Sequence, residues 1–258
     1  MFSLRYILFA CLSLIFSEAY VINYTPCSIK DKDCVIDLFQ KVLHDLGENG
    51  IAEINLPALD PMKLANISIK VLDEIVILIK EGVVKGFKNC KINSFDIDLE
   101  KQLAIPEIAC EVLTIKGQFL IEGSSPLLQS LFGTTSIKGE GKTKIKLDKV
   151  TMKLEIPATV IKKEDGKTYF KVLSNKPKYT YDIKKLTFDA KNLVIGKNDL
   201  SQIVTTYVNE NWKTLLNTYG KEIVNKAIVI LFENINKFYD NISAEQLIKE
   251  DLTPYIKN

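Results

Sequence analysis

One stretch constrains this chain more than any other: the helical run from Asn198 to Tyr239. Apolar side chains fall at Leu200, Ile203, Val204, Tyr207, Val208, Trp212, Leu215, Leu216, Tyr219, Ile223, Val224, Ala227, Ile228, Leu231, Ile235, Phe238 and Tyr239. That three-and-four spacing holds for about eleven turns. Asn198 or Asp199 offers a side-chain oxygen to cap the first turn. Gly220 is the weak point, worth about 1 kcal/mol against Ala and inviting a kink or break. Unbroken, the run would measure about 60 Å. A compact sphere formed by this many residues, with a radius of gyration of roughly 18 Å, would hardly cover it. The middle of the chain must therefore supply a long apolar wall.

That middle, from Ile67 to about Ile195, changes to a period of two. Ile67, Ile69 and Val71 begin it, and Ile75 to Ile79 reads as a further strand or a short helix. Phe87 to Leu99 and Leu103 to Ile121 read as two arms of a hairpin around Glu100. If opposed residues sum to 200, Cys90 faces Cys110 at a separation a cross-strand disulfide can span. The inward parity shifts between Ile92 and Phe95 and again between Val112 and Ile115, the mark of bulges and a strongly curved sheet. Ile137 to Leu147 is the clearest strand, with lysines and a glutamate on one face and Ile, Gly, Gly, Thr, Ile and Leu on the other. Gly139 and Gly141 leave room on the covered face for something close, the long helix or a bound molecule. Val150, Met152, Leu154 and Ile156 continue with the other parity. Tyr169 to Leu173, Tyr179 to Ile183 and Leu186 to Ala190 follow, with polar turns at Lys162 to Gly166 and Asn175 to Lys178. Seven or eight antiparallel strands, wet on one side, result.

The first nineteen residues stand apart. Arg5, the apolar run Ile7 to Phe16 and Ser17-Glu18-Ala19 read as a signal peptide cleaved after Ala19. The run is shorter than the roughly 17 residues a spanning helix needs, and no later stretch is apolar and long enough to span. Residues 1–19 are expected to be removed, leaving 20–258 as a single secreted domain. One arginine and one glutamate leave together, so the net charge stays +2. Cys11 also leaves, and Cys27, Cys34, Cys90 and Cys110 remain for two disulfides in an oxidising compartment. With Arg5 gone no guanidinium is left, and nucleic acid is not an expected partner. Asn23, Asn66 and Asn241 each open an N-glycosylation triplet. Cys27 to Cys34 closes a short loop before a helix striped by Val35, Leu38, Phe39, Val42, Leu43 and Leu46, which Gly47 or Gly50 ends. That helix reads as an ordinary core-covering element or as a lid over a cavity. Leu56-Pro57-Ala58-Leu59-Asp60-Pro61 is an extended, turn-rich connection.

Catalytic chemistry is not expected. His44 is the only histidine and lies off the apolar stripe of its helix. Any Ser-His-Asp triad would have to use it, and no Gly-x-Ser-x-Gly elbow exists. Asp96 and Asp98, like Glu107 and Glu111, sit at spacings that mark a wet strand face. Neither a metal site nor a cofactor is expected.

Taken in order, Cys27-x6-Cys34, Leu56-Pro57-Ala58-Leu59-Asp60-Pro61, Gly86-Phe87-Lys88-Asn89, the Gly139/Gly141 strand and Val208-Asn209-Glu210-Asn211-Trp212 resemble the insect takeout and juvenile-hormone-binding protein family. The resemblance implies an α+β fold: a long C-terminal helix wrapped by a highly curved antiparallel sheet around an apolar tunnel, with a short N-terminal gate helix. It also implies a secreted carrier, in haemolymph or another extracellular fluid, for juvenile hormone, a terpenoid or a fatty-acid-like lipid. The Cys90/Cys110 pair departs from the later second disulfide that the resemblance implies for hormone-binding members. Expected cargo contacts are Phe39 and Val42 on the lid, Ile115, Phe119, Ile137 and Ile145 on the sheet, and Tyr181, Tyr207 and Trp212 on the far wall. The alternative from another class is an extracellular interaction or signalling protein whose tunnel is filled. No stable membrane insertion is expected, and no motif identifies a receptor or carrier partner.

Overall fold

The computed structural model describes residues 23–71, 74–126, 128–129, 133–173, 178–195 and 198–256. The expected signal peptide, and residues 175–177 of an expected turn, lie outside them. The chain runs as helix α1 (Lys32–Glu48), strands β1 (Met62–Val71), β2 (Ile75–Lys85), β3 (Lys91–Asp98), β4 (Leu103–Ser124), β5 (Ser136–Lys162), β6 (Thr168–Val172), β7 (Lys178–Ile195) and β8 (Asn198–Asp199), and helix α2 (Ser201–Tyr239).

All eight strands form one antiparallel sheet in the order β1-β2-β4-β5-β7-β8, with β3 added to β4 and β6 to β5. β4 pairs β5 from end to end, from Leu103 against Pro157 to Ser124 against Ser136, and β5 runs on to Lys162. Each then carries two shorter neighbours. β4 pairs β2 through Thr114–Glu122 and β3 through Leu103–Ala109. β5 pairs β7 through Gly139–Glu155 and β6 through Ala158–Lys162. A straight strand the length of β5, 27 residues, would run roughly 90 Å. The 39 residues of α2 span only about 58 Å. The long strand fits beside the helix only by winding round it.

The bending is built in at bulges. Register shifts occur between Ile79 and Glu81, between Ile92 and Ser94, and between Glu140 and Lys142. The second coincides with the parity change read at Ile92. The change near Val112 leaves the β4–β5 register intact, but it lies opposite Lys149, whose φ of 52° tightens the local twist. The bulge at Glu140/Lys142 also explains the two glycines. A Cβ on Gly139 would strike the Val194 carbonyl, and one on Gly141 would meet the Leu193 backbone. The close neighbour is therefore strand β7, rather than the helix or a bound molecule.

Several elements differ from the sequence reading. Phe87–Asn89 is a short 3-10 turn before β3 rather than part of a strand. The segments read as separate strands on either side of Lys149 form one strand, as do those around Lys185. Helix α2 runs unbroken through Gly220. A Cβ there would come within 2.5 Å of the Tyr181 hydroxyl, so the glycine lets helix and strand close up. The first turn of α2 begins beyond Leu200, and Asp199 accepts from the Ser201 N–H at 2.8 Å.

Helix and sheet are stitched at an edge. Beyond β8, the outer side of β7 has no strand partner among the described residues. Ser201 Oγ accepts from Leu193 N, Thr205 Oγ1 from Ala190 N, and Asn209 Oδ1 from Phe188 N, while Asn209 Nδ2 donates to Phe188 O. About seven turns further along α2, Asn236 makes the same double bond to Val172 N and O on β6. Replacing Asn236 with Leu leaves both Val172 groups part-buried and unpaired. An unpaired buried group costs roughly 1–3 kcal/mol, so Asn236→Leu is expected to lower unfolding stability by about 2–3 kcal/mol in urea titration. Gln202→Leu, on the exposed face, should change it by less than about 0.5 kcal/mol.

Candidate functional site

The site lies at the end of the molecule where α1, the β3–β4 hairpin, β6 and the last turns of α2 meet. α1 starts because Asp31 caps it, its carboxylate accepting from Cys34 N at 3.1 Å. Cys34 is bonded to Cys27, with Cα atoms 5.7 Å apart. Its stripe of Val35, Leu38, Phe39, Val42 and Leu46 is buried. Gln40 holds the helix to the sheet: its Nε2 donates to Cys90 O at 3.0 Å, and its Oε1 accepts from Ile92 N at 2.8 Å. Cys90 is in turn bonded to Cys110 across the hairpin, Cα to Cα 4.3 Å, as the summed register predicts. Phe39 stacks on Phe95 with ring centres 4.2 Å apart.

Behind these side chains is an unfilled chamber of about 160 Å³. A single water needs roughly 10–15 Å³ on this measure, so the space equals that of about a dozen waters. Its walls are Phe39, Val42, Leu43 and Leu46 of α1; Ile92, Phe95 and Ile97 of β3; and Leu103, Ala104, Pro106 and Ile108 of β4. Leu154, Ile156, Ala158 and Val160 of β5, Phe170 and Val172 of β6, and Leu231, Ile235, Phe238 and Tyr239 of α2 complete it, with Leu59 and Leu99. Three residues bring polar atoms. Asp98 is committed to Lys101, accepting from its N–H and its ammonium at 2.9 and 2.7 Å, and these bonds hold its carboxyl below the usual range. Gln102 donates its Nε2 to Tyr255 O. Tyr239 is the third.

Of the residues expected to touch cargo, Phe39 and Val42 line this chamber. The other seven lie along the rest of the sheet and helix. Ile115 packs on the cluster of Met62, Leu64 and Val84. Phe119 is buried in β4, and Ile137 is buried with Ile75 and Leu128. Ile145 sits half-buried between Ile115 and Phe188 in register. Tyr181 abuts Gly220, and Tyr207 and Trp212 are half-buried on the first half of α2. His44 is on the open face of α1, 3.7 Å from Glu48 Oε2. Asn23 and Asn66 are exposed; Asn241 is half-buried and donates to Lys237 O.

A family model described as haemolymph juvenile hormone binding protein matches residues 6–249. The chain belongs to that family. Relatives in it include the circadian clock-controlled protein daywake of Drosophila melanogaster, 23% identical over 247 residues, covering 91% of this chain and 90% of that one. The Drosophila yakuba daywake is 24% identical over 252 residues with the same coverage. Among solved structures, Epiphyas postvittana Takeout 1 superposes with a TM-score of 0.73 at 24% identity, over 87% of this chain and 99% of that chain. The fold is therefore the takeout fold.

The C-terminal segment packs into the same buried cluster as the apolar stripe of α1. Cys27 N donates to Leu247 O and Lys249 N to Cys27 O. Glu250 accepts from Ser28 Oγ and Ile29 N, and Glu245 from Thr168 N and Oγ1. Burial pushes both carboxyls up, but these donors together outweigh it and hold each below the ordinary glutamate value. Depressed carboxyls stabilise fully above the unfolded value, roughly 4.3, and the contribution fades as pH falls through the lower folded value. Glu245→Gln and Glu250→Gln should therefore be less stable than the parent at neutral pH. The gap, read from urea midpoints, should close on acidification below about pH 4.

Proposed function

We propose that the protein is a secreted carrier that takes a hydrophobic small molecule into the chamber under α1. The observation that carries this reading is the chamber itself: unfilled space walled almost wholly by apolar side chains, in a chain of a family named for binding a hormone. A dozen waters' worth of liquid is about 360 Å³ at roughly 30 Å³ each, within the range of small-molecule sites. Transfer of cargo from water contributes roughly 25 cal/mol for each Å² of apolar surface covered. In this reading α1 is the gate, held by Gln40 and the Cys27–Cys34 bond at one end. Phe39 and Val42 contact the cargo, which is juvenile hormone, another terpenoid or a fatty-acid-like lipid. Asn23 and Asn66 are the exposed positions assigned to glycans. Among the described residues no helix is long and apolar enough to cross a membrane. The alternative, a signalling protein with a filled interior, is disfavoured by the empty space.

The test uses displacement of a neutral naphthylamine fluorophore by long-chain esters, terpenoids and alcohols, together with thermal melting. Trp212 lies outside the chamber, so its emission is not the readout. A ligand at a hundredfold excess over its Kd should add about 2.7 kcal/mol of stability. Val42→Phe, which fills part of the chamber, should weaken displacement by roughly tenfold or more while the protein stays folded. No displacement and no melting shift for any ligand in the parent protein would overturn carriage, and uptake unchanged in Val42→Phe would overturn the chamber as its site.

A further inference from the structure

At the chamber wall, the hydroxyl of Tyr239 has no hydrogen-bond partner among the described residues. Tyr239 ends helix α2, its ring lying edge-on to Phe170 and Phe238 with centres 5.6 and 5.4 Å away. It packs at once against the cluster of Leu154, Ile156 and Phe232 and against that of α1 and the C-terminal segment. Protein encloses it so completely that burial alone drives its hydroxyl pKa upward, with no charged or hydrogen-bonding neighbour contributing. Yet the residue keeps part of its accessible surface. The two facts reconcile if that surface opens inward, and Tyr239 does line the chamber. Among the described residues its hydroxyl has no hydrogen-bond partner. It also escapes the set of sealed, unpartnered oxygens, in which Thr159 Oγ1 stands alone. The hydroxyl therefore faces open space.

A buried hydroxyl without a partner costs on the order of 1–3 kcal/mol, and buried tyrosines ordinarily find one. The rest of the wall does not supply it: Asp98 is held by Lys101, and Gln102, which donates its Nε2 to Tyr255 O, makes no bond to Tyr239. Among the described residues no lysine lines the chamber, and the one charged residue that does, Asp98, is negative. A carboxylate entering this space would meet no cation and would lose its hydration.

On the reading of the chamber as a cargo site, we propose that Tyr239 is its polar anchor and selects a neutral lipid bearing one compact acceptor oxygen, such as an ester, ketone or aldehyde, over the corresponding free acid. The phenol O–H donates to that oxygen, and the aliphatic remainder lies along β5 and β3.

Pentadecane, methyl tetradecanoate and tetradecanoate, each displacing the same neutral fluorophore from the full chain, test this. For the parent protein near neutral pH the ester should bind roughly three- to tenfold tighter than the hydrocarbon, the worth of one hydrogen bond. The free acid should bind at least about tenfold more weakly than the ester and recover as pH falls through the carboxylate range. Tyr239→Phe keeps the ring and its packing, so melting should confirm a folded variant. In it the ester should fall to the affinity of the hydrocarbon, which itself should change by less than about twofold. Hydrocarbon binding with an unaltered ester preference in Tyr239→Phe would overturn the anchor while sparing carriage. Equal binding of ester and acid near neutral pH would overturn the selectivity. Failure of all three ligands to bind would remove the carrier reading and this one with it.

Discussion

The structure depends on how the free edge of β7 is satisfied. An unpaired strand edge presents N–H and C=O groups that must find partners or invite another chain. Here the partner is a helix. Ser201, Thr205 and Asn209 recur every fourth residue and so share a face of α2, rising about 6 Å per step. Alternate residues of a strand are about 6.6 Å apart, and the two near-equal spacings let helix side chains serve as a surrogate strand for Phe188 and Ala190. The third bond goes to Leu193 rather than to residue 192 because the bulge opposite Glu140/Lys142 shifts the register there. Since α2 also meets the opposite edge, where Ile230 packs with Met62, Leu64 and Val84, the sheet has to curl round it.

The chamber follows from that curl and from where it ends. At the α1 end, β4 and β5 outrun β2 and β7 and are flanked instead by the short strands β3 and β6. There the helix offers Leu231, Ile235, Phe238 and Tyr239, and α1 crosses over the opening. Gln40, the Cys90–Cys110 bond and the C-terminal segment each fix a wall to a different neighbour. Walls held by separate attachments cannot relax together to fill the gap, which is how an apolar space survives inside a well-packed protein.

Much of this architecture was legible in the sequence. Three-and-four spacing located both helices, and period two located the sheet, because burial on one side leaves those signatures directly. The disulfide Cys90–Cys110 followed from hairpin register alone. The identity of the chamber wall did not follow. Period two says which side chains face inward, but every inward residue of β4 and β5 gives the same signal whether it packs on α2 or borders open space. Ile115 and Ile145 read like Leu154 and Ile156, yet only the latter pair lines the chamber. Phe39 and Val42 were reachable because a short helix has one apolar stripe and hence one place to face. Tyr239 was hidden among helix apolar positions, although a tyrosine at the end of such a stripe is itself a signal: its hydroxyl needs either water or a partner.

The same contacts bear on how far along the helix a cargo can extend. Tyr179 bonds Asn225 Oδ1 at 2.8 Å, and Tyr181 rests on Gly220, so β7 and α2 are drawn together at mid-length. Gly220 lies eleven residues, about 16 Å, from the first helical residue of the chamber, Leu231. A Cβ at Gly220 would meet the phenol oxygen of Tyr181 at 2.5 Å and Leu216 Cδ1 at 2.9 Å, so a larger residue requires those side-chain ends to shift. The glycine that looked like a flaw in a long helix is thus a clamp point. Between it and the chamber, Ile228 and Phe232 are buried against Leu154, Ile156 and Val172, so packed core separates the contact with Tyr181 from the open space.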